Sequence, residues 1–85
     1  MTCQLCHREV EEYSIHHLVP RSNNGSHSDK VVLCLACHRM VHRLFTNKEL
    51  ARKYYTLNRL RQNREIRKFV DWVKKQDPNR RIKIS

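Results

Sequence analysis

The sequence predicts a small α+β chain: a two-stranded hairpin and a helix stapled by a four-cysteine zinc site, followed by two amphipathic basic helices. Three observations carry this expectation. Cysteines occur as two Cys-x-x-Cys pairs, Cys3/Cys6 and Cys34/Cys37, with 27 residues between Cys6 and Cys34. Apolar residues alternate with period two up to Cys34 and follow a helical period after it. The formal charge of +10 is concentrated, with residues 46–85 holding thirteen Lys or Arg against four Asp or Glu.

Each Cys-x-x-Cys pair places two thiolates on one tight knuckle, and the intervening segment is long enough to return and close a tetrahedral site. Two disulfides are the alternative. No apolar leader precedes Cys3, so a reducing, cytoplasmic setting is expected and thiolate–metal chemistry is favoured over disulfides. At 85 residues the chain forms one domain, and a domain this small seldom buries enough apolar surface without a staple. No apolar run is long enough to span a membrane.

Glu12 to Pro20 reads as a strand, with Tyr13, Ile15 and His17 on one face and Ser14 and His16 on the other. The His16-His17 doublet therefore points two ways. Pro20 ends the strand, and Arg21 to Lys30, with Asn24-Gly25 inside, is polar and turn-forming. Val31-Val32-Leu33 forms the second strand and feeds Cys34. From Leu35 or Ala36 the pattern is helical, with Cys37, Val41 and Leu44 on one stripe and His38 and His42, four apart, sharing a face.

Thr46-Asn47-Lys48-Glu49 is a capping box, with Phe45 placed to staple onto Leu50. The helix it starts carries Leu50, Tyr54, Leu57 and Leu60 or Arg61 on its apolar stripe. Asn63 caps a further helix with Ile66, Phe69, Val70 and Val73 at i, i+3, i+4 and i+7, stopped by Asp77-Pro78. Tyr54, Tyr55, Phe69 and Trp72 are assigned to helix packing. Arg80 to Ile84 is either a short strand or a frayed tail.

Ile15-His16-His17-Leu18-Val19-Pro20, then Asp29 to His38 with the second knuckle inside it, then His42, resembles the His-Asn-His (HNH) endonuclease family. The resemblance spans residues 3 to about 42. It implies a ββα-metal core over residues 1–45, stapled by zinc on Cys3, Cys6, Cys34 and Cys37; charge and periodicity make residues 46–85 a basic helical extension packed on that core. It further implies that His16, His38 and His42 bind a catalytic divalent metal and that His17 is the general base. The implied reaction is hydrolysis of DNA phosphodiester bonds, leaving 5′-phosphate and 3′-hydroxyl ends. An all-imidazole ligand set suits Mn, Ni, Co or Zn better than Mg, which favours oxygen. One departure stands out: Asp29 occupies the position of the family's central Asn, and as an acceptor it keeps only half of that residue's hydrogen-bonding capacity.

The charge predicts a polyanion partner, most commonly nucleic acid, and the resemblance implies that it is DNA, in duplex form. Arg21, Arg39 and Arg43 are candidate phosphate contacts near the site. Lys48, Arg52, Arg59, Arg61, Arg64, Arg67 and Lys68 are candidates for a broader electrostatic track. Contacts of this kind position a duplex without reading bases, so low sequence specificity is expected. His7 is expected to be an exposed neighbour of the zinc, and His27 belongs to the polar loop. Two other function classes remain open at this point: a non-catalytic zinc module that binds nucleic acid, and an adaptor whose basic helices meet an acidic protein.

Overall fold

The computed structural model describes residues 1–19 and 30–77. Asp29, Arg21, His27 and the segment from Pro78 onward lie outside the described residues. Two strands, β1 (Tyr13–His17) and β2 (Lys30–Cys34), pair antiparallel and lead directly into α1 (Leu35–Leu44). Three further helices follow: α2 (Asn47–Arg52), α3 (Leu57–Gln62) and α4 (Arg64–Val73). None is long and apolar enough to cross a membrane.

The four cysteines are what tie the ends of this arrangement together. All four are buried and unbridged, and their sulfurs lie within 4.8 Å of one another. Cys6 and Cys34 sulfurs stand 3.8 Å apart, close to the edge of a tetrahedron built on a Zn–S bond of about 2.3 Å and far beyond a disulfide of about 2.05 Å. Each knuckle is closed by a backbone N–H donating to the first sulfur of its pair: Cys6 to Cys3 and Cys37 to Cys34, both at 3.4 Å. The first knuckle needs a left-handed residue to turn back, and His7 supplies it at φ 66°. His7 is exposed there, beside the cluster. The four thiols are driven in opposite directions by one another. Hydrogen bonds from Cys34, Cys37 and Cys6 hold Cys3 far below the ordinary thiol range, while Cys37, facing those three, is pushed far above it. A divalent ion resolves that conflict by taking all four as thiolates.

A residue with no distinguishing mark in the sequence supports the same conclusion. Arg8 is buried, and it donates from Nε to the Cys6 sulfur at 3.4 Å and from one terminal nitrogen to the Cys34 sulfur at 3.3 Å. Its other terminal nitrogen reaches the carbonyls of Gln76 and Asp77 at 3.5 and 3.4 Å, just past α4. A guanidinium removed from water needs negative charge beside it. Neutral thiols supply none, whereas four zinc-bound thiolates leave the cluster net negative, so Arg8 fits the zinc-filled state.

The hairpin register sets which side of each strand faces inward. Ser14 pairs with Leu33 and His16 with Val31, so this face packs on the core, where Leu33 and Val31 are buried. The opposite face leaves Tyr13 and Ile15 45% and 46% exposed. Strand β1 thus buries its polar residues and exposes its apolar ones. Gln4 of the first knuckle adds to the edge of β2, donating from its N–H to the Val32 carbonyl at 2.8 Å and accepting the Val32 N–H on its side chain at 2.7 Å.

The helical half differs from expectation in one place. The helix expected from Thr46 to about residue 61 is two helices, broken at Lys53 to Thr56. The capping box forms as expected, with Thr46 and Glu49 exchanging bonds of 3.1 Å. Tyr54-Tyr55-Thr56 then joins two aromatic residues to a β-branched one, all poor in helix, and Thr56 caps α3 by accepting the Arg59 N–H at 3.1 Å. The break turns the Tyr54 ring onto Phe45, centroids 4.2 Å apart, and lets its hydroxyl accept from Asn63 at 3.0 Å. Asn63 caps α4 through the N–H groups of Glu65 and Ile66. Helix α4 ends at Val73, before Asp77-Pro78. Leu50, Leu60, Ile66 and Val73 are fully buried in one cluster with Leu33 and Val41.

Cys34→Ser should lose zinc and unfold the chain, because structural zinc contributes folding free energy on the order of 10 kcal/mol. Arg8→Met should keep zinc but lower stability by about 2 kcal/mol, the scale of hydrogen bonds to charged groups. Zinc stoichiometry and urea unfolding followed by circular dichroism check both. A native, zinc-free protein with two disulfides by mass spectrometry would overturn the staple.

Candidate metal centre and nucleic-acid interface

Strand β1 and helix α1 bring three imidazoles to one point. His16 projects from the inner face of β1 and is 1% exposed; His38 and His42, one turn apart on α1, are half-buried and exposed. His38 Nε2 is the hub, 3.3 Å from His16 Nδ1 and 3.0 Å from His42 Nε2. Ring centroids stand 4.7 to 5.3 Å apart. Two ligands at about 2.1 Å from one ion lie about 3.0 Å apart at a right angle and about 3.4 Å apart at the tetrahedral angle. The observed separations match that span, so these nitrogens fit one divalent ion with its remaining positions open on the His42 side.

Ser14 makes the arrangement specific. Its hydroxyl bonds to His38 Nδ1 and so anchors the ring with Nε2 at the hub; with the hydroxyl as acceptor, the proton sits on Nδ1 and the Nε2 lone pair is free for a metal. The signal for Ser14 lies in the alternation that puts it on the His16 face. Arg8 has none, since its partners beyond α4 are 68 and 69 residues away.

The electrostatics keep the centre unprotonated. Burial pulls His16 down to about 4, helped by the like charges of His38, His42 and His17. His38 is lowered by burial and then by His42, and His42 by burial. Neutral imidazoles are the form that binds metal.

His17 does not join this group. It pairs with Lys30 in the register and so occupies the opposite face of β1, half-buried and near enough for its charge to act on His16. Of the candidate phosphate contacts, Arg39 and Arg43 are exposed on α1, and Lys48, Arg52, Arg59, Arg64, Arg67 and Lys68 are exposed on the later helices. Arg59 lies over the Tyr55 ring at 4.7 Å. Arg61 is turned inward, donating to the Gln4 carbonyl of the first knuckle at 2.7 Å. Tyr54 and Phe69 pack on the core as expected, whereas Trp72, one position off the buried stripe, is 49% exposed.

The depressed histidines fix a pH dependence. The unfolded chain binds protons on these imidazoles at about pH 6.5, the folded chain holds His16 neutral down to about 4, and stability therefore falls as pH drops through that window. Above it the contribution is fully present. Urea midpoints of protein with a filled cysteine site and no other metal should show this, and His16→Gln should remove part of the slope. Equal slopes for the two proteins would mean that His16 titrates as an exposed imidazole.

The HNH endonuclease family model matches residues 3–44. The "Uncharacterized protein YisB" of Bacillus subtilis (strain 168) is 38% identical over 81 residues, covering 95% of this chain and 81% of that protein. No solved structure matches the chain. The matched span opens at the first cysteine of one ligand group and closes two residues past the last histidine of the other, so the similarity covers both groups whole, and this chain belongs to the HNH endonuclease family.

Proposed function

We propose that the protein is a metal-dependent DNA endonuclease that hydrolyses phosphodiester bonds with low sequence specificity and leaves 5′-phosphate and 3′-hydroxyl ends. The observation that carries this reading is the convergence of His16 Nδ1, His38 Nε2 and His42 Nε2 beside two exposed arginines. A purely structural role has little use for a second ligand group with an open side, since the cysteines already supply the staple.

His16, His38 and His42 hold the ion, and Ser14 keeps the His38 lone pair aimed at it. When bound, a divalent ion supplies Lewis-acid stabilisation of the charge that builds on the scissile phosphate and the leaving 3′ oxygen. His17, at the end of β1, takes the proton of the attacking water, with Asp29, at the position of the family's central Asn, as the second residue assigned to catalysis. Arg39 and Arg43 hold the neighbouring phosphates on the exposed side of α1. The imidazole set favours Mn, Ni, Co or Zn and admits Mg.

Supercoiled plasmid incubated with the protein and each of these metals, with and without chelator, tests the proposal. Nicked or linear product is expected only with metal. Binding without cleavage under every metal would make the protein a non-catalytic zinc module. His17→Ala should slow cleavage by about 10²–10⁴-fold while metal affinity holds, as for a general base. His16→Ala and His38→Ala should abolish binding of the second metal, and Ser14→Ala should weaken it by about 10–100-fold. Titration calorimetry with the cysteine site filled separates these effects, and full cleavage by His17→Ala would remove the base assignment.

The exposed and inward arginines give an internal control. Arg67→Gln should reduce the log–log salt slope of duplex binding by about 0.9, the value for one phosphate contact. Arg61→Gln should leave the slope alone and lower stability, because its partner is the Gln4 carbonyl. Anisotropy titrations at several salt concentrations read both, and equal slopes for the two variants would place the duplex elsewhere.

A further inference from the structure

Helices α1 and α4 leave an open groove between them. Met40, Leu44 and Phe69 form its floor, and Arg43, Lys68 and Trp72 stand at its edges, with Glu65 among them. Neither the zinc staple nor the histidine centre uses it. Trp72 is about half exposed, tilted against Phe69 at 6.0 Å, and turns the rest of its indole to solvent.

The groove is joined to the histidine centre by the surface of α1 itself. At about 100° per residue, a circuit of the helix runs through His38, His42, Arg39, Arg43, Met40 and Leu44 in that order. The arginines therefore bridge the two sites, which lie on opposite sides of one helix about 10–12 Å across with its side chains. A rigid duplex resting on the histidine side does not bend around so narrow a cylinder, whereas a few unpaired nucleotides do. The groove has the two parts that single strands require: cations for the backbone, in Arg43 and Lys68, and an aromatic face for a base, in Trp72. Glu65, on α4 one turn before Lys68, repels phosphate at its own end of the groove and so favours the backbone toward Arg43 and Lys68.

We infer that this groove binds an unpaired DNA strand, with Trp72 stacking on a base and Arg43 and Lys68 holding its phosphates, so that the preferred substrate carries a single-stranded segment next to the cleavage point. The inference rests on the proposed reading only in taking DNA as the ligand; strand binding requires no catalysis.

Trp72 is the one tryptophan in the chain, so its fluorescence reports the groove directly. Titrating zinc-filled protein with a twelve-nucleotide oligothymidylate at low salt should quench the emission saturably. A blunt duplex of the same length should quench far less. With labelled oligonucleotide and anisotropy detection, Trp72→Ala should weaken single-strand binding on the order of tenfold, and Trp72→Phe should restore part of the loss. Arg43→Gln and Lys68→Gln should each lower the salt slope by about 0.7, the single-strand value. Zinc content and circular dichroism confirm that each variant is folded. Absence of quenching by oligothymidylate, equal quenching by the duplex, or stronger quenching by polyglutamate would each overturn the inference, the last in favour of an acidic protein. Quenching without cleavage under any metal would leave the groove assigned and remove the nuclease reading, while cleavage without quenching would do the reverse.

Discussion

The position of the histidine centre depends on the closure of the four-cysteine cluster. Cys34 is at once the last residue of β2, the N-cap of α1 and the register partner of Tyr13. Holding its sulfur to Cys6 and Cys3 therefore fixes three things together: the start of α1, the phase of His38 one turn later, and the pairing of β1. A slip of one residue in that pairing would exchange His16 and His17 between faces, since side chains alternate with period two. The structural metal site thereby specifies which of two adjacent imidazoles meets α1. Arg8 extends the same closure to the end of α4, so that both halves of the chain converge on one buried, negatively charged cluster.

Strand β1 shows the cost of this arrangement. A half-buried strand normally turns its apolar face inward, and Tyr13 and Ile15 would be the residues to bury. Their exposure, with Ser14 and His16 inward, forgoes apolar burial at roughly 25 cal/mol per Å². What is gained is a rigid imidazole in a dry setting, kept neutral by burial and aimed at two others. Local rules of this kind are broken where a site requires it, and the core compensates through Leu33, Val41, Leu50 and Leu60.

Features governed by neighbours along the chain are legible in the amino-acid sequence: the knuckles, the opposed faces of the doublet, the capping box at Thr46, the cap at Asn63, and the i, i+4 pair on α1. Each rests on contacts a few residues apart. The features that are not legible there rest on distant partners. Arg8 and Arg61 look like any other cation until the fold brings Cys34 and the Gln4 carbonyl to them. The break between α2 and α3 lies inside a run whose apolar spacing reads as one helix, and it lets Tyr54 meet Phe45 with its ring and Asn63 with its hydroxyl. Trp72 reads as a packing residue because aromatic residues near an apolar stripe usually belong to it; only the position of α1 against α4 shows that the stripe ends at Phe69 and Val73.

These distinctions divide the basic residues into two populations with opposite electrostatic roles. Arg8 and Arg61 are engaged internally, Arg8 by thiols and carbonyls and Arg61 by the Gln4 carbonyl, and act as clamps. The other described cations of residues 46–77 face solvent, in a half whose thirteen cations outnumber its four carboxylates, so most of them have no acidic partner within that half. Pairing that does occur is local and exposed, as between Lys74 and Asp71 at 3.6 Å, and is worth little in water. Unneutralised charge on a small domain destabilises the compact state by self-repulsion. A polyanion lying across α1 and the later helices relieves that repulsion, so its binding and the stability of the fold are thermodynamically linked: the ligand stabilises the folded chain by as much as its affinity for the folded state exceeds that for the unfolded one. The clamps hold the basic helices on the core, and the exposed cations leave on that surface a charge that a bound polyanion would neutralise.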